Sequence, residues 1–292
     1  MINYYLITKP GIILGNLFTF AAGFFLASKG TFNFWLFCIT LLGLAFIMAS
    51  ACVFNNYIDR NFDKKMERTK NRALVVGAIS GQNALIYATI LGFIGGILLL
   101  EFTNFLAFSI AAIGFFVYVI LYSLWKSRTV YGTAIGSVSG AIPPVVGYCA
   151  VTNQFDIGAL ILFFMLVLWQ MPHFFAIAMA HFDDYSAAGI PVLPVKRGIF
   201  KTKVHMLIYI IAFIVVAGLL TVFNYTGYSY LLVVTAIGLA WLALSIKGFK
   251  SIDNRLWGRD MFRLSLVLIT AICLMIPLDL IVDSAVQIGH TG

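Results

Sequence analysis

Trp35 to Asp63 reads WLFCITLLGLAFIMASACVFNNYIDRNFD: residues 35–54 carry no charge, and the stretch then turns abruptly into amides and aspartates. A helix needs about 20 apolar residues to cross roughly 30 Å of hydrocarbon, so the first part predicts a membrane span. If the helix continues past the apolar run, Asn55, Asp59, Asp63 and Glu67 stand four apart and form one stripe. The stretch therefore predicts a span that ends in a row of oxygen atoms.

The rest of the chain repeats the first half of that pattern. Of its 292 residues 62% are hydrophobic and 10% charged, with mean hydropathy +0.99, against about 25% charged in soluble domains. Apolar runs near 10–28, 35–54, 83–101, 105–124, 131–151, 157–180, 204–223, 228–246 and 262–282 predict an all-α integral membrane protein of about nine spans. The first run is long, begins at Lys9-Pro10-Gly11 and lacks a small-residue cleavage pattern, so it is expected to be a retained helix.

The formal charge of +8 could indicate nucleic acid, but its placement argues for topology instead. Lys9 and the basic residues within 60–72, 126–128, 196–203 and 247–263 all fall on one side of the alternating spans, and only Lys29 falls on the other. This positive-inside asymmetry predicts a cytoplasmic N-terminus and, after nine crossings, an outside C-terminus. Cys38, Cys52, Cys149 and Cys273 sit singly in apolar runs, with neither zinc nor disulfide spacing, and are expected to act as small hydrophobes.

Loops on the outward side (29–34, 102–104, 152–156 and 224–227) are short, whereas those at 55–82, 181–203 and 247–261 are longer and charged. Chemistry is therefore expected on the cytoplasmic side. Two of these loops open on acids and continue into bases, 125 positions apart from Asp59 to Asp184. The chain reads as one polytopic domain, 1–292, with a faint parallel repeat of about 10–124 and 131–246 and an added helix at 262–282. Transporters use such repeats too, so the pattern alone names no function.

Like charges four apart destabilise a helix by roughly 0.2–0.5 kcal/mol per pair, so the Asp59–Asp63–Glu67 stripe calls for a compensating cation. Mg²⁺ prefers oxygen ligands and is commonly held by one or two carboxylates together with substrate phosphates. Arg60, Lys64 and Arg68 form a parallel basic stripe, followed by Lys70 and Arg72, suited to phosphate charge. The stripe also reads as a salt-bridged helix end in which acids balance bases, and spacing leaves both readings open.

Asn55-x-x-x-Asp59-x-x-x-Asp63, followed by Glu67-Arg68-Thr69-x-Asn71-Arg72, resembles the first aspartate-rich motif of the UbiA-type intramembrane prenyltransferases. The likeness extends along nearly the whole chain. Thr8-Lys9-Pro10-Gly11, residues 51–60 and 65–72, Trp169-Gln170-Met171-Pro172-His173 and Ala188-Gly189-Ile190-Pro191-Val192-Leu193-Pro194 look like the heme-farnesylating branch.

The resemblance implies a helical bundle around a central cavity, with a Mg²⁺-diphosphate site at its cytoplasmic mouth. It implies transfer of farnesyl from farnesyl diphosphate to heme B, giving heme O for terminal oxidases. The setting it implies is the inner cell membrane, near heme-handling or oxidase-assembly proteins and without nucleic acid. It carries Asn55, Asp59 and Asp63 over as the first metal and diphosphate cluster, with Asp59 and Asp63 catalytic, beside which the basic stripe read from spacing offers Arg60, Lys64, Arg68 and Arg72 to the diphosphate.

The second acidic motif departs from the family pattern. The region after the sixth run offers only Asp183 and Asp184, and adjacent residues face different sides of a helix. Asp184 is the expected metal-side and catalytic acid, with Asp183 on the diphosphate side; the alternative is a loop-capping pair. The resemblance also implies a basic residue gripping the diphosphate where the fourth run ends, which makes Lys126 and Arg128 candidates, with Lys126 catalytic; the alternative is a pair of snorkelling anchors.

His173, directly after Pro172 in an apolar helix, is a candidate heme ligand or porphyrin-orienting group, and alternatively a helix-packing histidine bonded to a carbonyl that Pro172 frees. His181 is a second heme candidate; His205 and His290 read as peripheral. Gly132, Gly136, Gly140 and Gly147 with Pro143-Pro144 predict a thin, broken fifth helix, suited to close packing or to a porphyrin wall. A UbiA-type enzyme for another aromatic or tetrapyrrole acceptor is the runner-up reading. A cation-coupled secondary transporter is disfavoured because these carboxylates lie at one rim rather than at mid-membrane.

Overall fold

The computed structural model describes residues 2–281, and among these nine helices are long and apolar enough to span a bilayer. They are α1 Pro10–Ser28, α2 Phe34–Asp63, α3 Gly81–Phe102, α4 Phe105–Trp125, α5 Gly132–Thr152, α6 Ile157–Ala180, α7 Ile199–Val222, α8 Tyr228–Lys250 and α9 Asn254–Leu278. Short helices at Ile2–Ile7, Phe182–Ala187 and Leu193–Arg197 lie between or before them. Residue 282, the expected end of the last span, and His290 fall outside the described residues.

Many spans start on a polar side chain that satisfies the free N–H groups of the first turn. Asn33 Oδ1 accepts from Leu36 N, Ser80 Oγ from Asn83 N, Asn104 Oδ1 from Ala107 N and Asp156 Oδ1 from Gly158 N. Asp253 Oδ1 caps α9 by accepting from Arg255 N at 2.9 Å and Leu256 N at 3.0 Å. That cap explains why α9 begins eight residues before the apolar run at 262. Arg255, Arg259, Asp260 and Arg263 in its first turns lower the hydropathy without interrupting the helix.

The helices close a ring. α1 packs on α2, α5 and α9; α6 packs on α5, α7 and α9; and α3 fills the groove between α2 and α4. Six of the nine (α1, α2, α4, α5, α6 and α9) wall a central cavity of about 560 Å³, to which α3, α7 and α8 contribute no residue. Those three are also the spans with the largest lipid-facing share, with at most 28% of their apolar windows buried.

α5 breaks at Ala141, just before Pro143-Pro144, as expected from its prolines. Its glycines divide by role. A Cβ at Gly147 would overlap the Phe20 carbonyl, and one at Gly23 of α1 would overlap the Pro144 carbonyl, so α1 and α5 touch backbone to backbone. Gly136 and Gly140 instead line the cavity. Cys52, Cys149 and Cys273 are buried free thiols and Cys38 is partly exposed.

Candidate active site

α2 remains helical through Asp63, so the predicted stripe forms as far as that residue: Asn55, Asp59 and Asp63 are all buried, at 1%, 3% and 6% exposure. The chain then leaves the helix, and Glu67 turns away to an exposed pair with Lys70 at 2.6 Å. The three buried residues line a polar mouth of about 260 Å³ together with Lys9, Arg68, Arg72, Lys126, Tyr118, Tyr122 and Tyr185.

Each of the three is held by a base or an amide partner. Lys126 pairs with Asp59 Oδ2 and lies 5.4 Å from the Tyr122 ring centroid. Arg72 Nη1 donates to Asp63 Oδ2 at 2.7 Å and to Asn56 Oδ1 at 3.3 Å. Asn55 Oδ1 accepts from Lys9 Nζ at 2.6 Å, while its Nδ2 donates to Ser123 Oγ at 2.9 Å. Thus α2, α4, the loop after α2 and the start of α1 are tied together at this one place.

The sequence reading used Lys9 for topology and within the Thr8-Lys9-Pro10-Gly11 motif but gave it no role in the site. Its backbone is left-handed (φ 56, ψ 60), a conformation that costs a non-glycine residue roughly 1–2 kcal/mol and is rarer still before proline. The strain is held by its bond to Asn55 and by Asn56 Nδ2, which donates to the Ile7 carbonyl at 2.7 Å. Burial lowers the Lys9 pKa to about 8.

Tyr118, Tyr122 and Ser123 were likewise not singled out in the sequence. Val117–Tyr122 of α4 is π-helical, a local widening that often marks functional positions. It stacks the two tyrosine rings at 5.4 Å and 13°. Ile12, Arg68, Tyr118, Tyr122, Phe174 and Ile177 line both the mouth and the deep cavity, so the two spaces meet at a neck. Spacing alone puts Tyr118 and Tyr122 on one helix face, but two tyrosines in an apolar run carry nothing that sets them apart from the chain's other aromatic residues.

Other expected residues stand elsewhere. Arg60 lies 4.2 Å over the Tyr57 ring and donates to the Tyr57 carbonyl, and Lys64 and Arg128 are exposed; none of the three lines the mouth. Asp183 is exposed and pairs with exposed Arg255. Asp184 is more enclosed, with its side chain 22% exposed and 3.7 Å from His181 Nδ1, and its neighbour Tyr185 reaches the mouth. The loops 64–80 and 181–198 meet through Met66, Ala188 and Ile190, so this second segment roofs the site.

The two histidine candidates separate. His173 lines the deep cavity, whereas His181 lines neither space. His173 Nδ1 bonds Ser265 Oγ of α9 at 2.7 Å rather than a carbonyl freed by Pro172.

Among the described residues no three His, Cys, Asp or Glu side chains converge as a metal cluster. The oxygens at the mouth are nevertheless of the kind a hard cation takes, and one is bare: Asp59 Oδ1 is buried with no hydrogen-bond partner. An unpaired buried carboxylate oxygen is costly, which fits a position awaiting a cation. Asp59, Asp63 and Asn55 supply too few donors for a complete shell, so a ligand bearing oxygens of its own would have to finish it.

Residues 16–267 match the UbiA prenyltransferase family. The chain belongs to this family. Among curated UbiA relatives, the protoheme IX farnesyltransferase of Protochlamydia amoebophila is 57% identical over 96% of this chain and the whole of its own length. The enzyme of the same name from Yersinia pseudotuberculosis is 52% identical over the full length of both. Solved structures are similar in shape at low identity. The Archaeoglobus fulgidus UbiA homolog bound to GPP and Mg²⁺ superposes with a TM-score of 0.68 at 18% identity, covering 94% of this chain and 99% of that one. A structure concerned with digeranylgeranylglyceryl phosphate synthase reaches 0.79 at 18% identity, covering 96% and 98%.

Proposed function

We propose that this chain transfers the farnesyl group of farnesyl diphosphate to a vinyl group of heme B, with addition of water, giving heme O. The observation that carries the reading is the two-part site: a buried mouth of acids and bases opening through a tyrosine neck into a large apolar cavity. A prenyl diphosphate has the same division, a charged head on an apolar tail. Full-length relatives at 52–57% identity that bear the heme-farnesylating name support the choice of acceptor over other UbiA substrates.

In this reading Lys9, Arg68, Arg72 and Lys126 meet the diphosphate, and Asp59 and Asp63 with Asn55 hold Mg²⁺. Bound there, Mg²⁺ supplies charge neutralisation to the departing diphosphate. Asp184, rather than Asp183, serves as the acid of the second loop, because it is the more enclosed of the two and adjoins Tyr185. The C1–O bond of the farnesyl group breaks with its electron pair going to diphosphate. Tyr118 and Tyr122 present ring faces to the allylic cation at the neck. The vinyl π pair then bonds C1, leaving a porphyrin-stabilised cation that water captures. His173, within the cavity, stands on the porphyrin side.

The mouth carries the basic end of the bundle and faces the cytoplasm of the cell membrane in this account. Purified protein given heme B, farnesyl diphosphate and Mg²⁺ is expected to convert extracted heme to the mass of heme O. Unchanged heme, together with prenylation of an aromatic acid under the same conditions, would assign the other acceptor class.

A further inference from the structure

Gln170 takes no part in holding diphosphate or in lining the neck, yet it is a polar side chain only 5% exposed in the wall of an apolar cavity. Its Oε1 is buried without a hydrogen-bond partner. The amide lies directly over Gly140, where any Cβ would overlap it, so the absent side chain at Gly140 leaves room for this group. An unpaired buried amide costs roughly 1–3 kcal/mol, an expense that a bound water recovers.

His173 stands three residues further along α6, on the same face. Ser265 Oγ donates its single proton to the Phe262 carbonyl at 2.6 Å, so it can only accept from His173. His173 therefore carries its proton on Nδ1 and keeps the Nε2 lone pair. Trp169 at 4.6 Å and Phe262 at 4.9 Å cover the two ring faces, leaving the ring edge as the reactive side.

We infer that Gln170 and His173 hold the water that quenches the porphyrin-stabilised cation, Gln170 Oε1 accepting one of its hydrogen bonds and His173 Nε2 taking its proton. This rests on the function proposed above. As the water oxygen bonds the cationic carbon next to the ring, its proton passes to Nε2, and the imidazolium later releases it to solvent. Net, heme B, farnesyl diphosphate and water give heme O, diphosphate and a proton. Without a held water, the same cation loses a proton from the adjacent carbon and gives an alkenyl heme lighter than heme O by one water.

The test is the mass ratio of the two products from Gln170→Met, His173→Phe and Ser265→Ala, assayed beside the unmodified protein with heme B, farnesyl diphosphate and Mg²⁺. The alkenyl heme is expected to rise at least tenfold relative to heme O in the first two and less in the third. A purely structural role lowers turnover without changing this ratio. Absence of the lighter product in all three overturns the inference, whether heme O persists or turnover stops. So does loss of an imidazole-ligated heme absorption band in His173→Phe with heme O still the only product, which makes His173 an iron ligand. Failure of the unmodified protein to make heme O overturns the proposed function instead.

Discussion

Lys9 Nζ donates to Asn55 Oδ1 at 2.6 Å, joining the strained entry of α1 to the buried end of α2. Because Lys9 is charged below its depressed pKa of about 8 and neutral above it, its attraction for diphosphate is full at lower pH and fades as pH rises through that value. The KM for farnesyl diphosphate is expected to climb above pH 8. Lys9→Arg should remove that alkaline rise, since a guanidinium stays charged, and Lys9→Met should raise KM about 10- to 100-fold, as loss of a charged hydrogen bond of about 1.5–3 kcal/mol implies. A KM that is flat across pH 8 in the unmodified protein would remove Lys9 from the diphosphate site.

Asp59 and Lys126 form an enclosed pair in which one carboxylate oxygen is left bare. Asp59→Asn should cut kcat by at least about 10²-fold, the size of effect seen when one electrostatic contact to a leaving group is lost. It also strands Lys126, with an upper bound of about 3–5 kcal/mol on the stability lost. The double variant Asp59→Asn, Lys126→Met should recover much of the melting temperature in detergent but none of the activity. Recovery of activity in the double variant would mean that the pair acts only as a structural bridge.

The two acids of the second loop should behave differently. Asp183 pairs outside the mouth with Arg255, so Asp183→Ala is expected to change turnover by less than about twofold, as surface ion pairs usually allow. Asp184→Ala should lower turnover at least tenfold. Equal effects in a steady-state assay would contradict the assignment of Asp184 alone.

Gly23 and the Pro144 carbonyl leave no space for a side chain between α1 and α5. Gly23→Ala must push the helices apart, at a cost of about 1–3 kcal/mol typical of overpacking. Thermal unfolding in detergent should show the loss, and an unchanged midpoint would mean that the crossing is looser than described.

Much of this was legible beforehand because bilayer physics is coarse: a run of about 20 apolar residues spans whatever surrounds it, and all nine runs correspond to helices. The Asn55–Asp59–Asp63 stripe was legible because α2 stays regular to Asp63. What escaped depends on tertiary geometry. Lys9 enters the mouth through a left-handed turn that no periodicity foretells, and Tyr118 with Tyr122, four apart and so on one helix face, bear no charge that would mark them among the chain's many aromatic residues. The early start of α9 escaped because its first turns are amphipathic. Lys64 read as a phosphate binder from its place in the basic stripe and Arg128 from the family resemblance, and only the fold leaves both exposed.

The most direct test is a structure with farnesyl thiodiphosphate and Mg²⁺ bound. The account predicts diphosphate density among Lys9, Arg72 and Lys126, a metal on Asp59 Oδ1, and the prenyl chain running past Tyr118 and Tyr122 into the deep cavity. Diphosphate seated instead between Asp183 and Arg255, with the tyrosine neck empty, would contradict it.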